Sequence, residues 1–169
     1  AAALHAHGHP LLSDDVVPVQ LTAEHTPQVY PGLPQIRLWP DSARASLGID
    51  PESLPRVHPD FEKRIPNINR TVPSDGPMPL AAVYVLGRAE EISIDPLRRQ
   101  EAFVELVRYS FAAQVLEGTK TSRRHFEQCA DLARRVPVFR LSRPRDLSML
   151  SDVARFVERR VTEHQMPAL

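Results

Sequence analysis

The sequence is poor in cysteine, lysine and glycine, and it has no long apolar run. Each shortage removes a class of protein. A single cysteine, Cys129, excludes an intrachain disulfide framework. No apolar stretch approaches the length of a membrane span and no secretory leader is visible, so a cytoplasmic chain without membrane contact is expected. Basic and acidic residues balance at 21 each, so no overall field draws the chain towards nucleic acid or an anionic surface. Partners must be recognised locally. The six glycines, at positions 8, 32, 48, 76, 87 and 118, never fall in the G-x-x-x-x-G-K-[ST] spacing that cradles nucleotide phosphates. The run Gly118-Thr119-Lys120-Thr121 follows a helical pattern and does not place glycine directly before lysine, so it reads as a helix exit.

What is present is 169 residues, 42% of them apolar, enough for one domain spanning 1–169 with a core of its own. Most of the 17 prolines lie in the first half and cut it into short pieces, because each fixes φ and removes a backbone donor. The alanine-rich start predicts a helix ending at Gly8. Leu11-Leu12 predicts a buried strand that ends at the acidic turn Asp14-Asp15, with a second extended piece over 16–21. Gln35 to Trp39 alternates as a strand, Asp41 can cap a short helix that stops at Gly48, and another helical turn follows Asp50-Pro51. Residues 57–79 show no sustained period and read as an irregular arm. Leu80 to Leu86 is a continuous apolar run, as expected of a strand buried on both faces. A short strand over 92–94 follows, and Asp95-Pro96 reads as the start of a helix running over 96–116. Phe126, Cys129, Ala130 and Ala133 mark a second helix, Val136 to Leu141 a strand, and Val153, Ala154, Val157 and Val161 a last helix. The order predicts an α/β or α+β domain with a mixed β-sheet and flanking helices.

Asp14-Asp15 at a strand end is an arrangement suited to holding Mg²⁺ and positioning a nucleophile, since carboxylates suit a hard cation. The plainer alternative is that one acid caps a turn while the other is solvated. A metal-dependent hydrolase using this pair lacks further histidines and acids at plausible spacing. His5, His7 and His9 form a short histidine tract, but a helix running to His7 would make the three rings diverge rather than converge on a metal. Cys129 lies on an apolar helical stripe, as a buried small hydrophobe does. The arginines at 134, 135, 140, 143 and 145 straddle a strand whose faces separate them, and no aromatic series interleaves them, which argues against nucleic-acid binding.

The segment from Leu4-His5-Ala6-His7-Gly8-His9 to Leu11-Leu12-Ser13-Asp14-Asp15 resembles the corresponding segment of HPr kinases and the wider bacterial family of HPr-serine-kinase-like proteins. The resemblance continues through Pro31-Gly32-Leu33-Pro34-Gln35-Ile36-Arg37-Leu38-Trp39-Pro40, Glu62-Lys63-Arg64, Pro79 to Gly87, and Arg124-His125-Phe126 through Arg143-Pro144-Arg145. Together these cover nearly the whole chain in order. The resemblance implies a P-loop kinase-like fold of the HPr-kinase type and a Mg²⁺-dependent transfer of the γ-phosphate of ATP to a serine on a protein or peptide. It also implies roles. Asp14 would act as base towards the serine hydroxyl, and Asp15 would help to hold Mg²⁺. Lys63 would stand in the catalytic arm, with Arg37, Arg64, Arg70 and His9 towards phosphate. Gln35 stands where the family has a glutamate, which removes an anionic metal contact. The family's phosphate loop precedes the aspartates and would end just ahead of Ala1, so an N-terminally truncated chain is expected. The alternative is a catalytically inactive binding or regulatory module that lost nucleotide binding. Family members include oligomers, which makes self-association an expectation as well.

Overall fold

Proline and glycine set the length of nearly every element in the first half of the chain, and where they thin out the helices lengthen. The computed structural model describes residues 1–23, 26–33, 35–67, 76–110 and 121–165. Among them are five α-helices and eight short strands in three small sheets, a mixed α/β protein. The helices are α1 (Ala2–Ala6), α2 (Pro40–Leu47), α3 (Arg99–Tyr109), α4 (Thr121–Arg135) and α5 (Leu150–Gln165). The strands are β1 (Val19–Gln20), β2 (Gln28–Val29), β3 (Arg56–His58), β4 (Phe61–Arg64), β5 (Met78–Pro79), β6 (Val83–Arg88), β7 (Ser93–Pro96) and β8 (Val138–Arg143). None of the helices in the described residues is long and apolar enough to cross a membrane.

The described residues gather into two compact units. The first draws on Ala1–Val17, Pro31–Asp75 and Pro144–Leu169, the second on Pro18–Tyr30 and Gly76–Arg143.

In the first unit α2 packs against α1, α5 and β4. Its start is set by Pro40, whose missing N–H costs nothing at the first helical position. Its end is set by Gly48, which adopts φ +67°, a left-handed conformation that side chains disfavour. Asp41 is not the cap: Trp39 holds that position and Asp41 lies in the first turn, where its charge complements the helix dipole. Asp50 does cap the 3-10 turn Pro51–Ser53, its Oδ1 accepting from the Glu52 amide. The irregular arm expected over 57–79 contains a hairpin instead. Strands β3 and β4 pair antiparallel around Pro59-Asp60, with Arg56 opposite Arg64 and an irregularity in register before His58. Strands of three and four residues are too short to display a period, which is why the alternation was not visible.

No strand forms at Leu11-Leu12. The segment keeps one ladder-like bond, from the Gly32 amide to the Leu12 carbonyl at 3.0 Å, and Pro10 and Pro18 withhold donors on either side. Asp14 and Asp15 therefore stand in a bend, not at a strand end. The strand expected over 35–39 is likewise reduced to one bridge, in which Leu38 and Arg64 exchange both backbone bonds, at 2.7 and 3.0 Å.

The second unit holds two of the sheets. In the larger one, β8 lies centrally, with β6 parallel on one side and β7 antiparallel on the other. Val85, Ala102, Ala133 and Val138 form its core, with Val83, Leu97, Phe103 and Leu106 packed around them. The apolar run ending at Leu86 is not buried throughout. Val85 is buried and Tyr84 stacks on the buried Phe139, whereas Leu86, on the edge strand β6, is 62% exposed although its neighbour Leu141 on the central strand is buried. Asp95-Pro96 closes β7 rather than opening a helix. The helix starts at Arg99, and the Glu101 carboxylate accepts from the Arg98 amide at 2.9 Å to satisfy its first turn. The remainder of the helix expected to reach 116, and the exit at Gly118, lie outside the described residues.

Candidate functional site

The first unit brings Asp14, Asp15 and Arg37 together. Ile36 is fully buried, so in this extended segment its neighbours Gln35 and Arg37 are turned the other way. The amide of Arg37 donates to Asp14 Oδ2 at 3.2 Å, and its guanidinium Nη1 lies 3.9 Å from Asp15 Oδ2. One residue thus addresses both aspartates. Asp14 is half-buried and fixed by a backbone donor, whereas Asp15 is 74% exposed and held only by a long, solvent-screened ion pair. Behind them Ser13 Oγ donates to the Val16 carbonyl at 2.6 Å, closing the bend that presents the pair.

The Leu38 to Arg64 bridge lays the Arg37–Trp39 segment against β4 and so brings Lys63 beside it. The Lys63 ammonium lies 5.6 Å from the centre of the Trp39 ring, a cation–π contact that holds a flexible side chain near the surface. Arg64 takes a different course. It is only 3% exposed, its Nη2 donates to Glu52 Oε1 at 2.7 Å and lies 4.0 Å from Glu62, and its Nε has no hydrogen-bond partner among the described residues. Expected to face phosphate, Arg64 is turned inward and fastens the hairpin to the Pro51–Ser53 turn. His9 is also engaged elsewhere, donating from Nε2 to Glu158 at 2.8 Å. Arg70 lies outside the described residues.

Two aspartates, one fixed and one open, supply the hard oxygen donors that Mg²⁺ prefers. Among the described residues no group of three or more His, Cys, Asp or Glu side chains could hold a metal ion. For the nucleotide phosphates the sequence offers no glycine-rich loop.

The second unit contains none of these residues. Several of its arginines are paired locally: Arg134 and Arg135 bind Asp131 at 3.0 Å each, and Arg140 donates to the buried Glu105 at 2.8 Å. An open groove of about 290 Å³ lies at the Glu105–Arg140 pair, with Gln100, Glu101 and Val104 on its walls. Cys129 is buried, and desolvation pushes its thiol above the ordinary value, so it stays protonated. Sequence reasoning did not find Glu158, which collects both His7 and His9, because its partners lie about 150 positions away. Comparison with protein-family models, with curated proteins and with solved structures finds no match.

Proposed function

We propose that this chain carries the acceptor-activating part of a Mg²⁺-dependent serine kinase of the HPr-kinase type, which transfers the γ-phosphate of ATP to a serine hydroxyl on a protein or peptide. One observation carries the reading: a single residue, Arg37, engages Asp14 through its amide and Asp15 through its guanidinium, on a segment bridged to the Lys63 strand. Asp14, fixed in place, accepts the proton of the attacking serine hydroxyl as the new oxygen–phosphorus bond forms and the bond to the ADP oxygen breaks. Asp15, open to solvent, would hold Mg²⁺, which would offset phosphate charge when bound. Arg37 and Lys63 supply positive charge where the transferred group would develop negative charge. For the fold, the parallel pairing of β6 with β8, with α3 and α4 between them in the chain, supports a P-loop kinase-like arrangement.

The absence of a phosphate loop from the sequence favours a second reading, a non-catalytic module that kept the fold. The two separate in one experiment. The complete gene product is incubated with Mg²⁺, γ-labelled ATP and serine-bearing candidate proteins or peptides, and its melting is followed with and without Mg·ATP. The kinase reading expects label on serine, lost in Asp14→Asn. No transfer, together with an unmoved melting temperature, rejects it in favour of the module.

A further inference from the structure

Apart from the aspartate pair, the first unit holds a second group of side chains in an order that chemistry recognises. Ser151 and Glu158 lie seven residues apart on α5, two turns along one face of the helix. His7, which ends α1, reaches both. Its Nε2 lies 3.1 Å from Ser151 Oγ, and its Nδ1 lies 3.1 and 3.2 Å from the two carboxylate oxygens of Glu158. We infer that Ser151, His7 and Glu158 form a nucleophilic serine triad that acts on small activated esters.

The proton positions follow from the network. An ionised carboxylate only accepts hydrogen bonds. Those from His9 and then His7 hold the Glu158 carboxyl below the ordinary glutamate value, so at neutral pH it is ionised. Both imidazoles must then donate to it, His9 from Nε2 and His7 from Nδ1. A neutral His7 with its proton on Nδ1 presents the Nε2 lone pair to Ser151, whose hydroxyl donates. This is the order of a general base aimed at a nucleophile and oriented by an acid. His9 adds a second donor that keeps the carboxylate in place.

The group is also open to a substrate. Ser151 is exposed, and the side chains of His7 and Glu158 are 23% and 28% exposed. Ser151 lies in the first turn of α5, which continues directly from the 3-10 turn Leu147–Met149, and its hydroxyl faces solvent beside the His7 ring. Ser151 Oγ attacks the ester carbonyl carbon while its proton passes to His7 Nε2. The adduct collapses, the bond to the leaving oxygen breaks, and His7 returns the proton to that oxygen. Water then attacks the acyl-serine by the same route, releasing the acid and restoring Ser151. Glu158 stays negative throughout and offsets the imidazolium charge.

The step uses neither nucleotide nor the aspartate pair, so its test is independent of the kinase reading. The full chain is treated with a fluorophosphonate probe and, separately, with p-nitrophenyl acetate. The expected result is a probe adduct on Ser151 by peptide mass spectrometry. Ester hydrolysis should fall by about 10²-fold or more in Ser151→Ala and in His7→Gln, and to a lesser extent in Glu158→Gln. His7→Gln could loosen α1, so Ser151→Ala, which removes one exposed hydroxyl, decides the matter, with circular dichroism to establish that it folds. An unlabelled Ser151 in the wild-type chain, or a Ser151→Ala protein that hydrolyses the ester as fast as the parent, overturns the inference.

Discussion

Gly32→Ala should damage the aspartate bend without touching an aspartate. Gly32 does not need a left-handed backbone. What it needs is space, because a Cβ built there would lie 2.6 Å from Ser13 Oγ, 2.9 Å from Ser13 Cβ and 3.4 Å from the Val16 carbonyl. The hydroxyl can rotate, but only by giving up its bond to Val16, and Ser13 Cβ moves only with the backbone that carries Asp14. Overpacking of this kind costs about 1–3 kcal/mol, and the lost freedom of the unfolded glycine returns about 0.4–1 kcal/mol, leaving a net loss of about 1–2 kcal/mol. In urea, where a chain of this size loses about 2 kcal/mol per molar, the midpoint should fall by about 0.5–1 M. The cause is isolated by Ser13→Gly, which removes both clashing atoms. A double-mutant cycle should give a favourable coupling of about 1–2 kcal/mol. If Gly32→Ala is as stable as the parent, or if the two substitutions simply add, the reasoning is refuted.

Arg64→Ala should destabilise the protein by about 2–4 kcal/mol in urea unfolding, since it empties a buried site and strands the Glu52 contact, whereas Lys63→Ala next to it should cost less than about 1 kcal/mol. Equal losses would contradict the inward placement of Arg64. Arg140→Leu removes the 2.8 Å partner of buried Glu105 and should cost about 1–3 kcal/mol by the same assay. For Glu158 the sign follows from its lowered carboxyl: folding favours the ionised form, so its contribution is present above the ordinary value of 4.5 and lost as pH falls through the lowered folded value. Thermal melts from neutral to acidic pH should therefore show a shallower acid loss in Glu158→Gln than in wild type. Asp131 and Asp146, also held low by their hydrogen bonds, titrate in both proteins and leave that difference intact.

Elements whose causes are local can be read from the residues in order. Gly8 and Gly48 take up positive φ just past α1 and α2, Asp50 caps its turn, and the apolar stripes of α4 and α5 place Ala133, Val153 and Val157 in the interior, because capping and helical periodicity act within a few residues. Asp14 and Asp15 were legible as a candidate pair for the same reason. Which residues keep them company follows from contacts between distant segments. That Arg37 rather than Arg64 reaches the aspartates depends on Ile36 being buried and on one bridge between Leu38 and Arg64, a pairing between segments some 25 residues apart. That His7 and His9 meet Glu158 depends on α1 packing against α5 across nearly the whole chain. Local propensity fixes where a helix stops; which side chain lies opposite its end is set by burial and hydrogen-bond satisfaction between distant segments, and these have no periodic trace in the sequence.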